Sequence, residues 1–71
     1  MRMNEVKPFT PVRQTSHEFV RVDTILSDGG KVRNHRVLWS NIYSKQSVAE
    51  YYHPECLSEA IKTFEAAISQ L

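Results

Sequence analysis

The sequence predicts an α+β domain in which a β-hairpin, with residues to spare for a second short hairpin, packs on one C-terminal amphipathic helix. Two observations carry this reading. SDGG at 27–30 lies between two runs rich in β-branched and aromatic residues, and apolar residues recur at helical spacing from Leu57 to Leu71. The chain has 71 residues, enough for one domain and not two. Folding at this size buries only about 60% of the chain's surface, so stability calls for help from a metal, a disulfide or a partner. One cysteine cannot form an internal disulfide.

Residues 1–16 carry Pro8 and Pro11, show little periodicity and end in the polar stretch Arg13, Gln14, Thr15, Ser16. They read as a flexible arm, or as one that docks on a partner through Val6, Phe9 and Val12, spaced three apart. The domain proper then spans 17–71. In EFVRVDTIL, residues 18–26, Val20, Val22 and Leu26 share one parity and Arg21 and Asp23 the other, as in a half-buried strand. Glycine reaches positive φ without steric cost, so SDGG turns the chain, and KVRNHRVLW returns as the antiparallel partner.

Charge argues for the register. A loop of Asp28 and Gly29 sets Arg21 against Arg36, whereas a loop of Gly29 and Gly30 sets Asp23 against Arg36, Val22 against Val37 and Val20 against Trp39. The second register is preferred, with a three-residue loop and a bulge also open. In SNIYSKQSVAEYY, residues 40–52, Ser47 and Glu50 match a helical capping box. Ile42, Tyr43, Val48, Tyr51 and Tyr52 better suit a second hairpin about SKQS. Pro54 then opens the helix, Glu55 and Glu59 sit near its positive end, and Leu57, Ile61, Phe64, Ile68 and Leu71 form its apolar stripe, flanked by Ala60 and Ala67.

No run approaches the roughly 18 apolar residues of a membrane-spanning helix, and MRMNEVKPF lacks the apolar stretch of a secretory signal. A cytoplasmic protein without membrane contact is expected.

The most suggestive cluster is YYHPEC, where His53 and Cys56 flank Pro54 and Glu55 at the helix start. An H-x-x-C step there suits zinc, because both side chains converge from one turn and the helix end stabilises a thiolate. This segment resembles the treble-clef zinc knuckles of LIM domains and poly(ADP-ribose) polymerase zinc fingers. In those families a C-x-x-C step precedes the hairpin; here His35 and Leu38 stand in its place, and leucine cannot bind metal. The resemblance implies a metal set of His35, His53 and Cys56, with a fourth ligand from His17, water or another chain. It also accommodates a finger descendant that has replaced its metal with apolar packing around Leu38 and Trp39. No cofactor is the first expectation and zinc the alternative.

Catalysis has little support: Cys56 and His53 lack a Gly-rich oxyanion loop and a third orienting group, and no phosphate-loop pattern follows Gly29 and Gly30. The formal charge of +1 excludes a strongly acidic nucleic-acid mimic and a histone-like binder. That total conceals polarity. Residues 1–17 carry three basic and one acidic side chain, residues 18–49 five and three, and residues 50–71 one and four. Lys31, Arg33 and Arg36 make the hairpin basic, and a β-ribbon can enter a DNA major groove. Trp39, Tyr43, Tyr51 and Tyr52 exceed what so small a core buries, and such residues anchor interfaces.

The expected function is a small non-enzymatic protein-binding module, of the size of a phage or mobile-element accessory inhibitor, that occludes a partner surface or pairs as a homodimer. Its interface would use Trp39, Tyr43, Tyr51 and Tyr52. The alternative is a nucleic-acid-binding regulator using Lys31, Arg33 and Arg36, with or without zinc.

Overall fold

The computed structural model describes residues 5–71. Among the described residues five strands precede the helix: β1 (Glu5–Pro8), β2 (Arg13–Gln14), β3 (Glu18–Leu26), β4 (Val32–Asn41) and β5 (Gln46–Tyr52). A 3-10 turn (Pro54–Cys56) leads into α1 (Leu57–Ile68). The strands form one antiparallel sheet in the order β1-β3-β4-β5, with β2 also on β3. The shortest extent is 17 Å. With layers about 10 Å apart, that leaves room for one helix on one sheet and no third layer.

The preferred register holds through the centre of the hairpin. Val20 pairs with Trp39, Val22 with Val37 and Asp23 with Arg36. The loop itself has three residues, 28–30: the Gly30 N–H donates to the Ser27 carbonyl at 2.9 Å, and Gly30 takes φ 77°. A three-residue loop alone would shift the pairing by one and turn every side chain to the wrong face. A bulge corrects this, since Leu26 pairs with Val32 but Ile25 with Asn34, leaving Arg33 as the extra residue.

The segment 40–52 is a hairpin, with Asn41 opposite Gln46 and Ile42–Lys45 as the turn, slightly ahead of SKQS. The Asn41 side-chain oxygen accepts the N–H groups of Tyr43 (3.0 Å) and Ser44 (2.9 Å), and Lys45 closes the turn at φ 60°. Asparagine mimics a turn with its own side chain, which is why a stretch without glycine reverses here.

The stretch read as an arm runs along β3 from Glu5 onward; Met1, Arg2, Met3 and Asn4 lie outside the described residues. β1 covers Asp23 to Leu26 and β2 covers Phe19 and Val20. Pro8 and Pro11 lack N–H groups and break the ladder between them. There the Val22 carbonyl accepts from Phe9 and Thr10, and the Val22 N–H donates to the Thr10 hydroxyl at 3.1 Å.

One sheet face carries Val20, Val22, Thr24, His35, Val37, Trp39, Val48, Glu50 and Tyr52, and α1 packs on it. The core is Val20, Val22, Val37, Ala60 and Phe64, bordered by Trp39, Tyr52, Ile61, Ala67, Ile68 and Leu71. At about 1.5–3 kcal/mol for a fully buried Val or Phe side chain, this core is small. The other face, with Phe19, Arg21, Asp23, Asn34, Arg36, Leu38, Ser40, Ser47, Ala49 and Tyr51, has no described helix over it. No described helix is long and apolar enough to cross a membrane.

Candidate functional site

The zinc expectation is overturned. Among the described residues no three His, Cys, Asp or Glu side chains come together to hold a metal, and the chain has a single cysteine. The likeness to zinc knuckles therefore does not extend to this fold. A ligand pair three residues apart needs a knuckle turn, whereas His35 and Leu38 sit inside a ten-residue strand and face opposite sides of the sheet. His35 is buried on the helix side, 3.1 Å from the Thr24 hydroxyl, with its ring edge-on to Phe9. His53 is exposed ahead of the 3-10 turn, whose Cys56 N–H donates to the His53 carbonyl at 2.9 Å, and Cys56 is half-buried. His17 lies elsewhere, stacked on Tyr43.

The four aromatic candidates occupy three different surfaces. Trp39 and Tyr52 are half-buried on the helix side. The Trp39 indole N–H donates to Glu18 Oε2 at 2.9 Å, and the Tyr52 hydroxyl meets Thr63 Oγ1 at 2.6 Å and donates to Glu50 Oε2 at 2.8 Å. The hydrogen bond to Thr63 lowers the Tyr52 pKa, but burial and the neighbouring Glu50 outweigh it and hold the phenol above its ordinary value. Tyr43 stands 77% exposed at the turn between β4 and β5, and Tyr51 projects from the opposite face, 58% exposed.

Two sites emerge instead. The first is an apolar groove of about 230 Å³ between the outer strand β5 and α1, with Val37 and Trp39 on its floor, Val48 and Glu50 on one wall, and Thr63 and Ala67 on the other. Beside it, β5 ends the sheet. Among the described residues no strand pairs with its outer side, so along seven residues half the backbone groups face solvent.

The second is a charged cluster on the bare face. Asp23 Oδ2 accepts from Arg21 Nε at 3.2 Å, from Arg36 Nε at 3.2 Å and from Arg36 Nη2. Asp23 is 1% exposed and its Oδ1 has no hydrogen-bond partner among the described residues. Hydrogen bonding to Asp23 raises Arg36 above the ordinary guanidinium value, against the effect of burial and with help from the Tyr51 hydroxyl. Arg21 in turn lies over the Phe19 ring, 5.9 Å from its centroid. Of the sequence's basic candidates, Arg36 belongs to this cluster. Arg33 sits at the bulge, lining a hollow with Asn34, Tyr51, Tyr52 and His53, and Lys31 follows the turn.

Sequence reasoning named neither Arg21 nor Asp23 as site residues, though the register that pairs Asp23 with Arg36 already carried the signal. Like parity put Arg21 on the same face as both. The open edge of β5 left no such signal, since strand order decides which strand is outermost. No family model, curated protein or solved structure matches this chain.

Proposed function

We propose that this chain is a non-enzymatic protein-binding module that captures an extended segment of its partner as an added strand on β5. The observation that carries the reading is the contrast between the two sheet edges. On one side the edge is broken, and among the described residues β1 and β2 have four and two residues, with Lys7, Pro8 and Pro11 among and between them. Those are the devices by which proteins prevent edge pairing. β5 has fewer of them: seven residues in unbroken register on β4, no proline, no lysine and a single charge, Glu50. Main-chain hydrogen bonds supply affinity in strand addition, and pockets for alternate side chains supply specificity. The groove of Val37, Trp39, Val48 and Ala67 suits the second role. Of the aromatic candidates, Trp39 then contributes to its floor and Tyr51 lies on the strand itself.

A second copy of this chain meets the same requirements. Two β5 strands paired antiparallel about Ala49 set Val48 across from Glu50 and Ser47 across from Tyr51, with no like charges opposed.

Panning a library of extended peptides against the protein and against Val48→Lys tests the reading. Val48 is 54% exposed, so the variant is expected to fold. Enriched peptides should alternate apolar residues, slow amide exchange in β5 and bind Val48→Lys at least tenfold more weakly. Peptides that bind both proteins equally, or that protect a different strand, refute it. Light scattering separates self-pairing from capture of a foreign strand.

A further inference from the structure

The charge distribution points to a second binding surface, and we infer that the bare face of the sheet binds single-stranded nucleic acid. Every acidic side chain except Asp23 lies elsewhere. Glu18 and Glu50 face the helix, Glu55, Glu59 and Glu65 belong to the 3-10 turn and α1, Asp28 is in the first turn, and Glu5 is on β1 opposite Leu26. Asp23 itself is sealed beneath Arg21 and Arg36. The charges that this face offers to solvent are therefore guanidinium groups, with Arg33 beside Tyr51 at its rim.

Asp23 also does something for those groups. By gripping both arginines through their Nε sides it holds two guanidinium planes in place, and the Arg21 Nη groups keep no partner among the described residues. An arginine held in advance loses less conformational freedom on meeting a phosphate than a mobile lysine does. Aromatic surface flanks the cations. Phe19 lies under Arg21, and Tyr51, mostly exposed, neighbours Arg36. Phe19 is half-buried with Arg21 over its ring, so Tyr51 is the open ring of this face, and Arg21, held against Phe19, offers its guanidinium plane as a second stacking surface. Ser40, Ser47 and Asn34 add polar groups between and beside them.

Shape selects the form of nucleic acid. β3, β4 and β5 alone make a surface about 14 Å wide, broader than the roughly 12 Å major groove, which admits a two-stranded ribbon. A broad face with arginines and the exposed ring of Tyr51 instead suits splayed bases stacking on Tyr51 and on guanidinium planes while phosphates meet the cations.

The test is fluorescence anisotropy with a labelled 12-nucleotide oligothymidylate, a 12-base-pair duplex and a 12-residue polyglutamate, over a salt series. Variants are Arg33→Ala and Tyr51→Leu, both exposed and outside the Asp23 ion pairs, with Lys62→Ala on α1 as a control for charge alone; circular dichroism checks each fold. The single strand is expected to bind best. Arg33→Ala should flatten the slope of log affinity against log salt by about 0.7, Tyr51→Leu should weaken binding about fivefold or more, and Lys62→Ala should do neither. No binding of the single strand at low salt overturns the inference. So does equal or tighter binding of the duplex or polyglutamate, or an effect of Lys62→Ala as large as that of Arg33→Ala.

Discussion

Replacing Arg36 with alanine is expected to destabilise the fold far more than replacing Asp23, although both changes break the same contact. Asp23 keeps 1% of its side-chain surface in water, Arg36 keeps 19% and Arg21 33%. Without Arg36, Arg21 remains as the single donor to Oδ2, Oδ1 already lacks a partner, and water reaches the carboxylate only through the gap that the lost side chain leaves. Stranding one member of a buried pair costs about 3–5 kcal/mol. Without Asp23, two guanidiniums at the face swing toward solvent, and the loss is that of partly screened charge-assisted hydrogen bonds, about 1–2 kcal/mol. A core this small supplies about 5 kcal/mol in total, so Arg36→Ala approaches complete unfolding. Urea titration of Trp39 fluorescence reads the difference. At about 1 kcal/mol per molar urea for a domain of this size, Asp23→Ala should lower the midpoint by roughly 1–2 M and Arg36→Ala by 3 M or more. A double Asp23→Leu, Arg36→Leu variant should recover most of the larger loss, because it leaves no buried charge. Equal losses for the two single variants, or a greater loss for Asp23→Ala, would refute the claim that the buried carboxylate sets the cost.

Two further outcomes follow from local geometry. Gly30→Ala should cost about 1 kcal/mol, because φ 77° is strained for any residue with a Cβ, and should lower Tm by about 4–8 °C. Gly29→Ala meets nothing within 4 Å and should shift stability by less than about 0.5 kcal/mol. Tyr52→Phe removes the hydroxyl that joins β5 to α1 through Thr63 and should cost about 1 kcal/mol near neutral pH. The folded state raises the Tyr52 pKa above 10.0, so it holds that proton more tightly than the unfolded chain does. The resulting stability is complete below pH 10 and disappears as pH rises through the raised value. Urea midpoints of the native protein should therefore fall faster above pH 10 than those of Tyr52→Phe, and parallel declines would contradict the assignment.

Strand β3 could be read residue for residue because alternation and β-branching act over neighbouring positions, and the helical stripe from Leu57 was plain for the same reason. The hairpin register was also legible. Opposing Asp23 with Arg36 and Val22 with Val37 is a pairwise condition that two short segments settle between them. The path of residues 5–14 was not legible, because Pro8 and Pro11 speak against a regular strand. What seats the segment on β3 is the Thr10 hydroxyl and the Val22 carbonyl, groups distant in sequence. YYHPEC suggested zinc on local spacing alone, and spacing along a chain does not say whether His35, His53 and Cys56 converge.

By itself, then, the sequence determined the α+β class, the hairpin pairing and the amphipathic helix, each of which rests on interactions between residues near in sequence or joined by one turn. Only the tertiary structure decided that β5 is an open edge, that Asp23 is sealed beneath two arginines, and that exposed acids and the cationic face lie on different sides. Those properties depend on strand order and on which face the helix covers. Both are set by packing the whole chain at once.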